Sequence, residues 1–392
     1  MSSRLPVSPA DTHLDEQSAT ASKNTSAAPA GLPPSQPAAP KQAAERASQA
    51  AQMPHQRQAT QRRQFVVGID LGGTSVKVGL LQDRQLIARC NFSTADCQHP
   101  KDVFRQAQSF ASEHLAAHHA NLDDVHAVGL AMAGVIDDAT ATLMETANLH
   151  DWHGIEFLYA LGEVFDKPVA VVNDANAAAL GEFYYGDHRG DSLTLLTLGT
   201  GIGGGIILGG QPLNGNHGCG GEIGHITIDH GPQARMCGCG KPGHLEAYAG
   251  AAGIVQTATE LLTATDQPSL LRELDQFSPV NLWQAAEQND AIALQTIQQT
   301  AIYLGRAIAI LSQIADPAVV LLGGAVTFGG VDSPTGKRFL QWISDEMLQR
   351  SLVQSGTKLM IDFATLGNDA GMLGAAQHAL QSARPLRPPT GP

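Results

Sequence analysis

Phe65-Val66-Val67-Gly68-Ile69-Asp70-Leu71-Gly72-Gly73-Thr74-Ser75-Val76-Lys77-Val78-Gly79-Leu80-Leu81 opens with an apolar run and breaks at a glycine turn. Beyond the turn Val76, Val78 and Leu80 alternate with Ser75, Lys77 and Gly79. Period two continues past the break, so the turn joins two strands. The second half of the chain begins the same way: residues 193–198 form an apolar strand, Gly199-Thr200-Gly201 a turn, and residues 204–208 a second strand. Such duplication implies two related lobes facing a cleft.

Working outward, helical spacing over residues 103–119 is followed by a strand at 127–131, an irregular segment to Trp152, a helix at 155–164 and a strand at 168–172. In the second half Ile292, Ile297, Ala301, Leu304, Ile308 and Leu311 recur at helical spacing until Asp316-Pro317 stops them. A strand at 318–322, the pair Gly323-Gly324 and a last helix at 369–380 complete the pattern. Strands alternating with helices imply an α/β layer architecture.

The stretch from Met1 to Gln64 is a different kind of chain. It contains no Phe, Trp or Tyr, one β-branched aliphatic residue (Val7), and 14 Ala, 8 Ser, 8 Pro and 9 Gln. A segment so poor in apolar bulk cannot offset its ordering entropy, so disorder is expected there and fraying at 382–392. Setting aside its seven Lys/Arg and four Asp/Glu from the 24 and 37 of the whole chain leaves 17 basic and 33 acidic groups from Phe65 onward, a net of −16 against −13 overall. That acidity argues against a nucleic-acid or anionic-membrane partner. No apolar run approaches the roughly 18 to 20 residues that span a bilayer, and no secretory h-region stands at the N-terminus. Five cysteines (Cys90, Cys97, Cys219, Cys237, Cys239) are too few and odd in number for a secreted disulfide framework, so a reducing cytoplasm is expected.

Glycine turns let backbone N–H groups converge on an anion without a Cβ in the way. Neither turn is a Walker A loop or a dinucleotide fingerprint, since both of those lead into a helix. Asp70, just before the first turn, suits a water-mediated Mg²⁺ contact, because a hard cation prefers carboxylate and water oxygens. Asn173-Asp174 ends a strand and opens an Ala-rich helix. Asp174 reads either as the N-cap of that helix or as a general base for phosphoryl transfer at the mouth of an α/β cleft. The most specific cluster is Glu222-Ile223-Gly224-His225 with Cys237-Gly238-Cys239-Gly240-Lys241-Pro242-Gly243-His244-Leu245-Glu246. Two thiolates and two imidazoles between His225 and His244 suit tetrahedral Zn²⁺, with no position left for water, so the ion would be structural and would fix the ring of His225. His114, His118 and His119 read as a solvated helix face, and Cys219 as a thiol without partners.

Together these residues resemble the ROK family of repressors, open reading frames and kinases, among the actin-like and hexokinase-like ATPases. The stretch 70–74 resembles its first phosphate motif, 198–205 its second, Gly323-Gly324 its adenosine motif, and 220–225 with the Cys-rich loop its signature. The resemblance covers residues 65 to about 380. It implies a two-lobed actin-like (ribonuclease H-like) fold with duplicated βββαβα halves: a first lobe at 65–185 completed by a helix at 367–381, and a second at 186–366 carrying a zinc loop at 225–246. It implies that Asp174 is the general base, that Gly134, Asn173, Asp174, Glu222, His225 and Glu246 hold a sugar, and that Asp70, Gly72, Gly73, Thr74, Lys77, Gly199, Thr200, Gly201, Gly323 and Gly324 bind the nucleotide. His225, Cys237, Cys239 and His244 would hold zinc, His244 standing where the family usually has a third cysteine. The expected activity is ATP-dependent phosphorylation of a hexose, glucose first, in a homodimer using Mg²⁺ and structural Zn²⁺. Fructose, mannose, N-acetylmannosamine or N-acetylglucosamine are alternative acceptors, and polyphosphate an alternative donor. A sugar-responsive repressor is disfavoured, because the segment 1–64 lacks the apolar periodicity of a helix-turn-helix.

Overall fold

The computed structural model describes residues 64–136, 141–145, 152, 154–188 and 190–385. The N-terminal segment read as disordered lies outside the described residues except for Gln64, as does the C-terminal end beyond residue 385. In the described part of that end, Arg384 exchanges two backbone hydrogen bonds of 3.1 Å with Val169 instead of fraying.

The first sheet takes β1 (Phe65–Leu71), β2 (Ser75–Gln82), β3 (Gln85–Ser93), β4 (Val125–Met132) and, beyond a small ribbon of β5 (Val135–Ile136) and β6 (Leu143–Glu145), β7 (Val169–Asn173). Its order is β3-β2-β1-β4-β7, antiparallel through the hairpins and parallel across β1, β4 and β7. The second sheet takes β8 (Ser192–Leu198), β9 (Ile202–Leu208), β10 (Gln211–Pro212), β11 (Val319–Gly324) and β12 (Met360–Phe363). Its order, β10-β9-β8-β11-β12, repeats the first with the same directions. Both sheets belong to one compact unit, and the duplication read from the two glycine hairpins is real at the level of topology.

β1 is apolar almost throughout because both its faces are covered. Phe65, Val67 and Ile69 pack with Phe104 and Leu115 of α1 (Pro100–Ala117) and with Phe157 and Leu161 of α2 (Phe157–Phe165). Val66 faces the other way, toward Met372, Leu373 and Ala376 of the last helix. After α3 (Asp174–Tyr185), the second half supplies α4 (Ala251–Ala264), α5 (Pro279–Glu287), α6 (Ala291–Ile314), α7 (Pro334–Arg350) and α8 (Ala370–Ser382). α6 starts where Asp290 accepts the Ala293 N–H at 3.0 Å. It ends near Asp316, whose left-handed φ of 43° precedes Pro317.

Each half lends its last helix to the other sheet. α3 buries Ala179 and Leu180 against Leu193, Leu195 and Ile207 of the second sheet, while α8 lies on β1, β4 and β7 of the first. Where the two helices cross, glycines let backbone touch backbone. A Cβ on Gly374 would stand 1.6 Å from the Ala177 carbonyl oxygen, and one on Gly181 2.2 Å from that of Ala370. Under α8 the sheet is glycine as well, for a Cβ on Gly129 would stand 1.9 Å from the Ala375 oxygen.

Glycine to alanine inside a helix normally stabilises by about 1 kcal/mol. At Gly374 the overlap with Ala177 reverses the sign, and Gly374→Ala is expected to destabilise by about 1–3 kcal/mol because the helices must separate. Urea unfolding measures it, and an unchanged or raised midpoint would show that the crossing is not tight.

Candidate active site

The first glycine turn is pinned from both ends. Gly72 N–H donates to Ser75 O at 3.0 Å, Thr94 Oγ1 donates to Gly72 O at 2.8 Å, and Thr94 N–H to Thr74 O at 3.1 Å. Asp70 lies at the C-terminal end of β1, where its Oδ2 takes the Lys77 ammonium at 3.0 Å. The first turn of α8 presses on it, for a Cβ on Gly371 would stand 2.7 Å from the carboxylate. The second turn is closed by Gly199 N–H to Gly201 O at 2.9 Å and backed by α4, whose Ala251 N–H donates to Gly199 O at 3.0 Å. Thr200 lies within this turn.

Gly323 and Gly324 end β11 beside β8. Gly324 has φ of 89°, and a Cβ there would stand 2.3 Å from Leu198 O. The pair lines a cavity of about 410 Å³ with Thr197, Thr327, Gly329 and Gly330. The structure thus places the second turn and the Gly323-Gly324 pair on neighbouring strands, at the C-terminal edge where open α/β sheets bind ligands.

At the start of α3 Asn173, not Asp174, takes the capping position. Asn173 is the N-cap, its Oδ1 accepting from Ala175 N–H at 2.9 Å and Asn176 N–H at 3.2 Å. Its Nδ2 donates to Gly134 O at 3.1 Å, which brings these two expected sugar residues together and leaves one amide hydrogen over. Asp174 Oδ1 accepts the Ala175 N–H at 2.8 Å. Burial raises its pKa above the ordinary aspartate value, and the carboxylates of Asp70 and Glu222 push it the same way. Charges from both halves thus act on Asp174.

His225 has two faces. Its Nε2 stands 3.9 Å from Glu222 Oε2, and its Nδ1 3.7 Å from Cys237 Sγ. Cys239 Sγ stands 3.2 Å from His244 Nδ1, and the four ligand atoms lie within 4.8 Å of one another. A tetrahedron with Zn–S of about 2.3 Å and Zn–N of about 2.05 Å has S–N edges of about 3.6 Å, so the observed contacts fit zinc. Burial pushes the Cys237 thiol up to about 11 when no cation offsets it, and burial holds His244 below the usual histidine value, in the neutral form a metal accepts. Glu246 joins this cluster to the second turn: Oε2 accepts the Ile202 N–H at 2.9 Å and Oε1 stands 3.7 Å from Cys237 Sγ.

Several participants had no sequence signal. Asn176, buried in the first turn of α3, donates to Asn214 Oδ1 at 3.4 Å and so touches the loop that leads to Glu222. Arg235 is folded over the Tyr248 ring and donates to Thr257 and Glu260, while the Tyr248 hydroxyl donates to Asp229 at 2.5 Å. This clamp ties the Cys-rich loop to α4 by protein contacts alone. His114 Nδ1–H donates to Phe110 O of its own helix, 2.9 Å away, and Cys219 is exposed.

A family model described as "ROK family" matches residues 66–382. A curated glucokinase of Halalkalibacterium halodurans is 34% identical over 316 residues, covering 79% of this chain and 93% of its own. Among solved structures, the ROK hexokinase of Thermus thermophilus superposes with a TM-score of 0.66 at 30% identity, covering 81% of this chain and 98% of that one. A ROK family glucokinase of Streptomyces griseus, in complex with glucose and AMPPNP, gives 0.63 at 31% identity, with 81% and 100% covered. With the paired glycine hairpins, the exchanged helices and the Cys/His loop all inside the matched span, this chain belongs to the ROK family.

Proposed function

We propose that the protein transfers the γ-phosphoryl group of ATP to the 6-hydroxyl of a hexose, glucose first, giving the sugar 6-phosphate and ADP. The observation that carries this reading is Asp174: a carboxylate at the C-terminal edge of a parallel strand, largely withdrawn from water, with its pKa raised by burial. The glucokinases among its relatives support glucose as the acceptor.

Asp174 takes the proton of the 6-hydroxyl as that oxygen attacks the γ-phosphorus and ADP leaves. A base whose pKa is raised toward the working pH is a better proton acceptor while still mostly ionised. Asn173, Gly134, Glu222 and His225 orient the sugar, with Glu246 as a further acceptor beside them. The N–H groups of Gly73, Thr74, Thr200 and Gly201 would face the phosphates, those of Gly72 and Gly199 being used to close the turns, with Lys77 as the nearby cation, and the cavity beside Gly323-Gly324 takes the adenosine. Mg²⁺, which Asp70 would hold through water, supplies charge neutralisation on the β- and γ-phosphates. Zinc on His225, Cys237, Cys239 and His244 would fix the His225 ring so that Nε2 faces the sugar side. Five cysteines without a disulfide support a cytoplasmic setting, and among the described residues no helix is long and apolar enough to cross a membrane. The homodimer implied by the family likeness is read by sedimentation.

A coupled ADP assay against a panel of hexoses and N-acetylhexosamines, with ATP and polyphosphate as donors, tests the reading. Asp174→Asn is expected to lower kcat by about 10²–10⁴-fold while sugar binding stays measurable; near-normal turnover would refute the base. In the wild type, kcat/KM for the sugar is expected to fall on the acid side as Asp174 protonates, through an apparent pKa above the ordinary aspartate value of about 4. Metal analysis should find one zinc per chain, lost in His244→Ala and kept in His244→Cys; zinc-free wild-type protein would remove the metal from the account.

A further inference from the structure

We infer that Glu182 is a positioning residue that fixes the wall of the nucleotide cavity to the helix carrying Asp174. The inference rests on the ATP reading above. Glu182 lies in α3, eight residues after Asp174, which is about 12 Å along the helix. Its side chain is fully buried. Three neutral donors make four contacts with it, two on each oxygen. Oε1 accepts Thr365 N–H at 3.0 Å and Leu366 N–H at 2.8 Å, and Oε2 accepts Thr365 N–H at 3.1 Å and Thr365 Oγ1 at 3.1 Å.

A carboxylate offers about four acceptor directions, so this one has nothing left for a ligand. It acts through what it holds. The strand end is laced to the same end of α3 by two more bonds, Asp187 N–H to Thr365 Oγ1 at 3.4 Å and His188 Nε2 with Phe363 O at 3.2 Å. The junction is tight, for a Cβ on Gly186 would stand 2.7 Å from Glu182 Oε2 and 3.2 Å from Thr365 Oγ1.

The held segment is a wall of the nucleotide cavity. Phe363, Ala364, Gly367 and Ala370 line it from that side, with Ala178 and Glu182 from α3. Immediately beyond, Asp369 pairs with Arg89 of β3, and Gly371 abuts Asp70. Glu182 therefore sets the distance between the surface that meets the nucleoside and the helix that presents the base. A ligand carrying a nucleoside depends on that distance, and a bare phosphate chain held by the glycine turns does not.

Competitive inhibition against ATP tests this, with ADP and inorganic tripolyphosphate as inhibitors and calorimetric sugar binding without nucleotide as a third measurement. Glu182→Gln keeps the side-chain shape but turns an amide donor toward donors already present. The expected result is a rise in the ADP inhibition constant of about tenfold, with tripolyphosphate inhibition and sugar affinity within about twofold of wild type. Equal weakening of all three, which a general structural role would give, overturns the proposal, as does an unchanged ADP constant. If Glu182→Gln does not fold, Thr365→Val, which removes only the hydroxyl, decides with the same split at about threefold. Wild-type protein inhibited by neither compound would overturn the kinase reading itself, a different result from the loss of the split.

Discussion

The crossing of α3 and α8 is the contact on which the rest of this molecule depends. Gly181 meets Ala370 and Gly374 meets Ala177, each glycine against the other helix's backbone. The relation is reciprocal, as the duplicated topology requires. Two helices at that separation exclude side chains from between them, so their relative position is set by main-chain geometry, which is stiffer than any side-chain packing. Because each helix also rests on the sheet of the other half, the crossing holds two sheets and two glycine hairpins in register. Asp174 opens one of these helices and Gly371, pressed on Asp70, lies in the first turn of the other.

Such a frame has to work against its own charge. From Phe65 onward the chain carries a net of −16, the carboxylates of Asp70 and Glu222 both act on Asp174, and the ATP that a sugar kinase takes is a polyanion. A long-range field of that sign repels the ligand. Local donors can prevail because Coulomb energies at a few ångströms exceed screened ones beyond a Debye length of about 8 Å. The glycine turns concentrate N–H groups at that short range. Lys77 already neutralises Asp70, so the local charge beside the first glycine turn is smaller than the residue count suggests.

How much of this could be read beforehand depends on whether a residue's role is local. β1, β2, β8, β9 and α6 were legible since burial on a sheet or helix imposes a period, and Asp316-Pro317 marks a stop by its own backbone chemistry. β3 was not, because it lies at a sheet edge and its residues 85–93 alternate neither in polarity nor in burial. β12 is four residues long and gives no period at all. α7 has Ser333 accepting from Thr335 and Gly336 N–H and Pro334 behind it, a legible start, but its charged, mixed interior hides the apolar stripe. In the site, residue types with unusual chemistry, such as thiols beside imidazoles, announced themselves. Which of Asn173 and Asp174 caps the helix did not, since either side chain can accept the same N–H groups.

Glu182 shows the limit most clearly. A glutamate in the last turn of a helix is, by propensity and polarity, a solvated residue. It is buried only because α8 and β12, far along the chain, bring the N–H groups of Thr365 and Leu366 to it. No local pattern encodes that arrival. The same holds for Asn176 with Asn214, and for Arg235 over Tyr248. All three are polar groups whose partners come from another element, and all three tie a segment to its frame: a cavity wall, the loop that leads to Glu222, and the Cys-rich loop. Apolar residues in this protein build the layers, and a sequence shows them through repetition. The buried polar contacts set the distances between layers, and each occurs once.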